Sequence, residues 1–162
     1  YFNQHPEVKL IIAPHVIVEN HLVEIIRKLK RPYVRYTRAD VKNVRKADCL
    51  IIDCFGLLSS IYRYGEIAYI GGGFGVGIHN TLEAAVYGIP VIFGPKYQKF
   101  QEAVQLLEAK GGFSVKSYEE LKALLDRMLE DESFLRETGT NAGTYVTGNA
   151  GATDKVLGMI NF

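Results

Sequence analysis

Continuous apolar runs alternate with amphipathic stretches along the chain. The runs are Leu10-Ile11-Ile12, Tyr33-Val34-Arg35-Tyr36, Cys49-Leu50-Ile51-Ile52, Ile67-Ala68-Tyr69-Ile70, Val91-Ile92-Phe93 and Phe113-Ser114-Val115. Each is short and lacks the strict in–out alternation of a strand with one face in water. Each therefore predicts a strand covered on both faces, as in a parallel sheet. Between the runs the spacing becomes helical. In Glu19–Leu29 the apolar residues Leu22, Val23, Ile25, Ile26 and Leu29 share one face. Leu57–Tyr64, Thr81–Tyr87, Phe100–Ala109 and Tyr118–Leu129 read as further helices, and Phe134–Val146 and Ala152–Ile160 follow the last strand. Strand and helix in strict turn predict an α/β fold, an open parallel sheet of about six strands with helices on both faces. Ligands of such sheets sit beyond the carboxyl ends of the strands. That rule singles out Pro14-His15, the Thr37-Arg38 corner, Gly71–His79 and Gly94-Pro95-Lys96.

Composition narrows the classes. The 162 residues suit one domain, 1–162, and 48% are apolar, enough for a core. No apolar run approaches the roughly 20 residues needed to span a bilayer. The formal net charge is +1 with no block of Lys or Arg, so nothing points to nucleic acid. Cys49 and Cys54 flank a strand and read as buried free thiols, since a disulfide framework or a metal site needs more ligands at tighter spacing. The chain opens at Tyr1 without a Met and enters a strand by Lys9, which reads as a piece of a longer protein.

The most distinctive stretch is Ile70–Pro95, IGGGFGVGIHNTLEAAVYGIPVIFGP, a strand, a glycine-rich loop, a helix and the next strand. A helix opening at His79-Asn80 presents free amides and a partial positive charge to the loop, which favours phosphate. No register of Gly71, Gly72, Gly73, Gly75 and Gly77 gives G-x-G-x-x-G, so a dehydrogenase fingerprint is absent. No Gly-Lys-Ser/Thr follows, which excludes a P-loop. Asn80-Thr81-Leu82-Glu83 is close to a capping box, so Glu83 reaches back to the Asn80 amide or contacts a ligand. Most of the glycines are not needed for a cap, and they let the backbone approach a bound group closely.

These residues resemble the donor-site signature of glycosyltransferases with two Rossmann-like domains, the GT-B fold. The match is Glu83-Ala84-Ala85-Val86-Tyr87-Gly88-Ile89-Pro90-Val91-Ile92-Phe93-Gly94-Pro95. Within that group the chain is most similar to the 3-deoxy-D-manno-octulosonic acid (Kdo) transferases of lipopolysaccharide synthesis. Ala13-Pro14-His15, Gly71-Gly72-Gly73-Phe74, His79-Asn80 with Leu82-Glu83, Gly94-Pro95 through Phe100, and Asn149-Ala150-Gly151-Ala152-Thr153 carry that likeness. The resemblance maps the chain onto the C-terminal half of such enzymes. Val16 stands where the family usually has Glu, and Gly77-Ile78-His79-Asn80 where it often has Gly-Gly-His-Asn.

The resemblance implies a donor-binding domain for CMP-Kdo. The transfer to a lipid A precursor would invert the anomeric carbon without a metal or other cofactor. Gly72, Gly73, Phe74, Gly75, Gly77, His79, Asn80 and Glu83 are the expected nucleotide and phosphate contacts. His79 adds a hydrogen bond or, when protonated, a charge. Phe74 is a wall on the base and Glu83 an acceptor for the ribose hydroxyls. Kdo carries its own carboxylate, and His15, Arg38 and Lys96, with Lys99 behind them, are the candidate cations for it. No catalytic residue is expected here; the general base, the lipid acceptor and contact with the cytoplasmic face of the bacterial inner membrane fall to an N-terminal half. This half on its own would be soluble and would transfer nothing. A UDP-sugar domain, a related epimerase, and a non-catalytic nucleotide-binding module that docks on a partner remain the rival readings.

Overall fold

The computed structural model describes residues 1–151 and residue 158. The helix expected over Ala152–Ile160 lies outside the described residues, Gly158 excepted. The chain divides into two compact units, Tyr1–Ile61 and Tyr62–Phe162.

The first unit carries β1 (Leu10–Ile12), α1 (Glu19–Lys28), β2 (Tyr33–Arg35), α2 (Val41–Val44), β3 (Cys49–Ile51) and α3 (Leu58–Ile61). Its sheet is parallel, in the order β1-β3-β2. Leu22 of α1 packs with Cys49, Ile51 and Phe2 to form the core, with Ile12, Ile25 and Ile26 around it. Arg31 fastens the segment that precedes β1. Its guanidinium donates to the carbonyls of Phe2, His5, Pro6 and Val8 and lies 4.1 Å from the centre of the Phe2 ring. Asp48 pairs with both Arg31 and Lys9 at the start of β3.

The second unit carries β4 (Ala68–Ile70), α4 (Leu82–Ala85), β5 (Val91–Phe93), α5 (Gln101–Glu108), β6 (Gly112–Ser114), α6 (Tyr118–Glu130) and α7 (Glu132–Asn149). Its sheet is parallel in the order β4-β5-β6. Central β5 has both faces covered, and Val91, Ile92 and Phe93 are each fully buried. Ser117 and Asp131 cap α6 and α7 through their side-chain oxygens. The helix α7 rests on the turn after α4 with no side chain between them. A methyl group at Gly143 would lie 3.2 Å from the Cα of Gly88, and one at Gly139 would collide with the Gly88 carbonyl.

All six expected strands are present, but not as one sheet. Among the described residues they form two separate three-stranded parallel sheets. Apolar runs identify strands locally, whereas the choice of neighbour depends on partners far away in sequence. The expected helix over Leu57–Tyr64 is a single α-turn, Leu58–Ile61, tightened to a 3-10 turn over Tyr62–Tyr64. The expected helix over Thr81–Tyr87 shortens to Leu82–Ala85, because Gly88 at φ +69° closes the turn early.

Candidate functional site

The glycine-rich segment leaves β4 as a closed loop. The His79 amide donates to the Gly71 carbonyl (3.2 Å), so the ends of the loop meet. Inside it, the amides of Gly75 and Gly77 both donate to the Gly72 carbonyl, at 2.8 and 3.3 Å. Gly72 sits at φ +90°, and a side chain there would strike the Gly77 carbonyl and meet the His79 ring. Glycine is the residue that tolerates both demands.

A second loop, after β5, supports the first from below. A Cβ at Gly73 would lie 2.7 Å from the backbone of Gly94, and one at Gly94 would lie 2.7 Å from Gly73. The two backbones therefore touch with nothing between them. Lys96 completes the contact in two ways. Its amide donates to the Gly73 carbonyl (3.0 Å), and its ammonium donates to the Gly75 carbonyl (2.7 Å). A cation is thus held at the tip of the glycine loop. Phe74 and Val76 project from that tip, Phe74 half exposed and Val76 fully exposed.

The helix start is built around Asn80. Its Oδ1 accepts from the Leu82 amide (2.9 Å), an Asx turn that leads into the helix, whose cap residue Thr81 makes no side-chain cap bond. Its Nδ2 donates to Oε1 of Glu83 (3.0 Å). Glu83 does reach back to Asn80, but to the side-chain amide and not to the backbone, and the Glu83 amide is not the one Asn80 accepts from, so the expected capping box does not form. The next residue, Thr81, is fully buried and its hydroxyl has no hydrogen-bond partner among the described residues. Two expectations change here. With only four residues, α4 sums too few peptide dipoles for the half charge of a long helix. The amides of Gly75, Gly77 and His79 are already engaged within the loop. The exposed polar side chains here include those of His79, Asn80 and Lys96, of which Asn80 and Lys96 also make the bonds just given.

Gly72, Gly73, Phe74, Gly75, Gly77, His79, Asn80, Glu83 and Lys96 therefore come together in the second unit. His15 and Arg38 belong to the first. His15 is exposed on the loop between β1 and α1. Arg38 ends a 3-10 turn, Tyr36–Arg38, that follows β2 directly.

The first unit holds a polar cluster that the sequence reading missed. Asp53, just beyond β3, is buried. Its carboxylate accepts from the Arg35 Nε (2.8 Å), the Thr37 amide (2.9 Å) and the Thr37 hydroxyl (2.6 Å). Burial opposes its charge, but the Thr37 and Arg35 hydrogen bonds outweigh it and bring the carboxyl down to about 2. Arg35 also grips Glu19 at the start of α1 through NH1, at 2.8 and 2.9 Å to the two carboxylate oxygens. An acidic residue placed immediately after a buried strand was the available signal. Of the two thiols, Cys49 is buried and pushed up to about 11 by that burial, while Cys54 is half-buried; both are free.

No protein-family model matches the chain. It is 37% identical over 127 residues to the 3-deoxy-D-manno-octulosonic acid transferase of Aquifex aeolicus, covering 77% of this chain and 35% of that protein. It is 33% identical over 116 residues to the transferase of the same name from Rickettsia bellii, covering 70% of this chain and 28% of that one. The chain thus spans about a third of the length of the curated relatives it matches. The crystal structure of the C-terminal CMP-Kdo binding domain of WaaA from Acinetobacter baumannii superposes with a TM-score of 0.75 at 20% identity, covering 88% of this chain and 75% of that one. Parallel sheets, covering helices and this likeness give the chain the fold of the C-terminal domain of a GT-B glycosyltransferase. By sequence the chain is a relative of the 3-deoxy-D-manno-octulosonic acid transferases.

Proposed function

We propose that this chain is the donor-binding part of an enzyme that transfers Kdo from CMP-Kdo to a lipid A precursor, with inversion and without a metal. The observation that carries the reading is the closed glycine loop of the second unit, with the Lys96 ammonium bonded to the Gly75 carbonyl at its tip and His79 and Asn80 following at its end. When the sugar leaves, negative charge gathers on the phosphate of the departing CMP. Donors already fixed in place stabilise that charge without having to reorganise. In this reading Lys96 and His79 face the phosphate and Phe74 borders the base. Glu83 accepts from the ribose. The base that deprotonates the acceptor hydroxyl, and the contact with the lipid at the cytoplasmic face of the inner membrane, belong to the remainder of the enzyme. Among the described residues, no helix is long and apolar enough to cross a membrane.

The test is a titration of the isotopically labelled chain with CMP, CMP-Kdo and UDP, followed by NMR. CMP is expected to bind weakly, to shift the resonances of Gly72–Asn80, and to outcompete UDP. The chain by itself is expected to transfer no sugar. Asn80→Ala should weaken CMP. Glu83→Gln should weaken it too, although Gln can still accept from Asn80, because the carboxylate is lost. Preference for UDP, or turnover by this chain alone, would reject the assignment.

A further inference from the structure

We infer that Asn80 is the positioning residue for the Glu83 carboxylate, turning it to accept the ribose hydroxyls of the donor, so that Asn80 sets ribose recognition through Glu83. This rests on the donor-binding reading above, and every residue it uses belongs to the second unit.

Asn80 is the joint between loop and helix. The residue before it belongs to the loop: the His79 amide closes onto the Gly71 carbonyl, and the His79 ring lies 3.5 Å from where a Cβ on Gly72 would stand. The residue three after it stands in the short helix α4. Both ends of the Asn80 side chain are used across this joint. The Leu82 amide can only donate, so it faces Oδ1, at 2.9 Å. That choice turns Nδ2 the other way, where it donates to Oε1 of Glu83 at 3.0 Å. Turned end for end, the side-chain amide would set donor against donor at Leu82 and acceptor against acceptor at Glu83. One orientation is therefore fixed, and with it one oxygen of the Glu83 carboxylate.

The carboxylate so held has acceptor capacity left. Glu83 is half-buried, and among the described residues no cation pairs with it. Its charge acts on the half-buried Tyr62 phenol, whose pKa is pushed up by burial first and by Glu83 second. An ionised carboxylate offers about four acceptor positions, and the Asn80 amide fills one of them. Partial removal from water costs a carboxylate free energy unless donors replace that water. A ribose carries two adjacent hydroxyls, each a neutral donor, and they match what remains. A capping box would have engaged this carboxylate on the Asn80 backbone amide. The side chain of Asn80 holds it instead, so the position of Glu83 depends on a donor that the helix start itself does not require.

The experiment measures the affinity of the chain for CMP and for its 2′-deoxy and 3′-deoxy analogues, in wild type, Asn80→Ser, Glu83→Ala and the double variant. Wild type is expected to prefer CMP roughly tenfold or more over the analogue that lacks the contacted hydroxyl, the scale of a hydrogen bond to a charged group. Glu83→Ala should abolish that preference. Asn80→Ser keeps an oxygen for the Leu82 amide but is too short to hold Glu83, and it should bring the preference close to that of Glu83→Ala. The double variant should bind CMP no more weakly than Glu83→Ala, because Asn80 acts through Glu83. An Asn80 that only shapes the turn, or that touches the nucleotide itself, would weaken all three ligands by one factor and leave the preference intact; that result overturns the proposal. So does a double variant that binds CMP more weakly than Glu83→Ala, which would give Asn80 a role of its own. Should Asn80→Ser not fold, Asn80→Asp keeps the oxygen for the turn and loses the donor to Glu83, and an unchanged preference there overturns the proposal equally. A wild-type chain that binds CMP and both analogues alike overturns this inference and leaves the donor-binding reading standing. A wild-type chain that binds none of the three overturns both.

Discussion

The two units solve one problem with different materials. Each must hold loops still at the carboxyl ends of a three-stranded parallel sheet. In the first unit, side-chain charge does this: Asp53, Arg35, Thr37 and Glu19 bond loop to loop over a small core. In the second, backbone touches backbone at Gly73 and Gly94, and the central strand below is buried on both faces. The contrast teaches that a fixed rim needs either satisfied buried charge or the absence of side chains. The two arrangements should fail under different insults, the first to loss of charge and the second to added volume.

The largest effect is expected from Phe93→Ala, because that ring is fully buried in the central strand. It should cost about 3–5 kcal/mol, and a thermal melt within a few degrees of wild type would contradict the packing described. Next comes Gly94→Val, which forces atoms into the Gly73 backbone. It should cost about 1–3 kcal/mol and disturb the NMR signals of Gly72–Gly77 while those of Thr37 and Asp53 stay in place. Equal disturbance in the first unit would erase the contrast.

Acid should act on the first unit selectively. The folded Asp53 carboxyl is depressed to about 2, below its ordinary value of about 4. A depressed folded value means that this carboxylate adds stability above the ordinary value and loses it as the pH falls from about 4 towards 2. Denaturant melts between those limits should show the first unit loosening. Asp53→Asn should be less stable at neutral pH and flatter across that window. A wild-type slope in the variant would assign the acid sensitivity to other groups. The smallest stability effect is expected from Lys96→Met. Its charged contact is solvent-exposed, so the melt should move by less than about 1 kcal/mol while CMP affinity falls.

Much of this was readable in the chain itself. Val91-Ile92-Phe93 and Cys49-Leu50-Ile51 announce themselves because strands covered on both faces need unbroken apolar runs. The closed glycine loop and the turn at Asn80 were visible for local reasons, since both depend on residues within a few positions. The division into two sheets was not, since strand pairing is a long-range choice. Nor was the helix α2, whose cap joins Asp40 to Asn43 where the usual pattern would show Glu or Gln in the fourth place. Asp53 escaped for the same reason as the sheets: its partners Arg35 and Thr37 lie 18 and 16 residues away, and only folding brings them together.

The touching backbones at Gly73 and Gly94 also govern how this rim can change over evolution. Loops at strand ends ordinarily absorb insertions and deletions freely. Here the stems of two such loops are fused face to face, so lengthening either stem would wedge the other off its strand. New sequence enters with least disturbance at the exposed crest, Phe74–Val76, where the Lys96 bond to Gly75 can be given up, which makes that short arc the place where related chains can diversify the ligand they grip without rebuilding the sheet beneath.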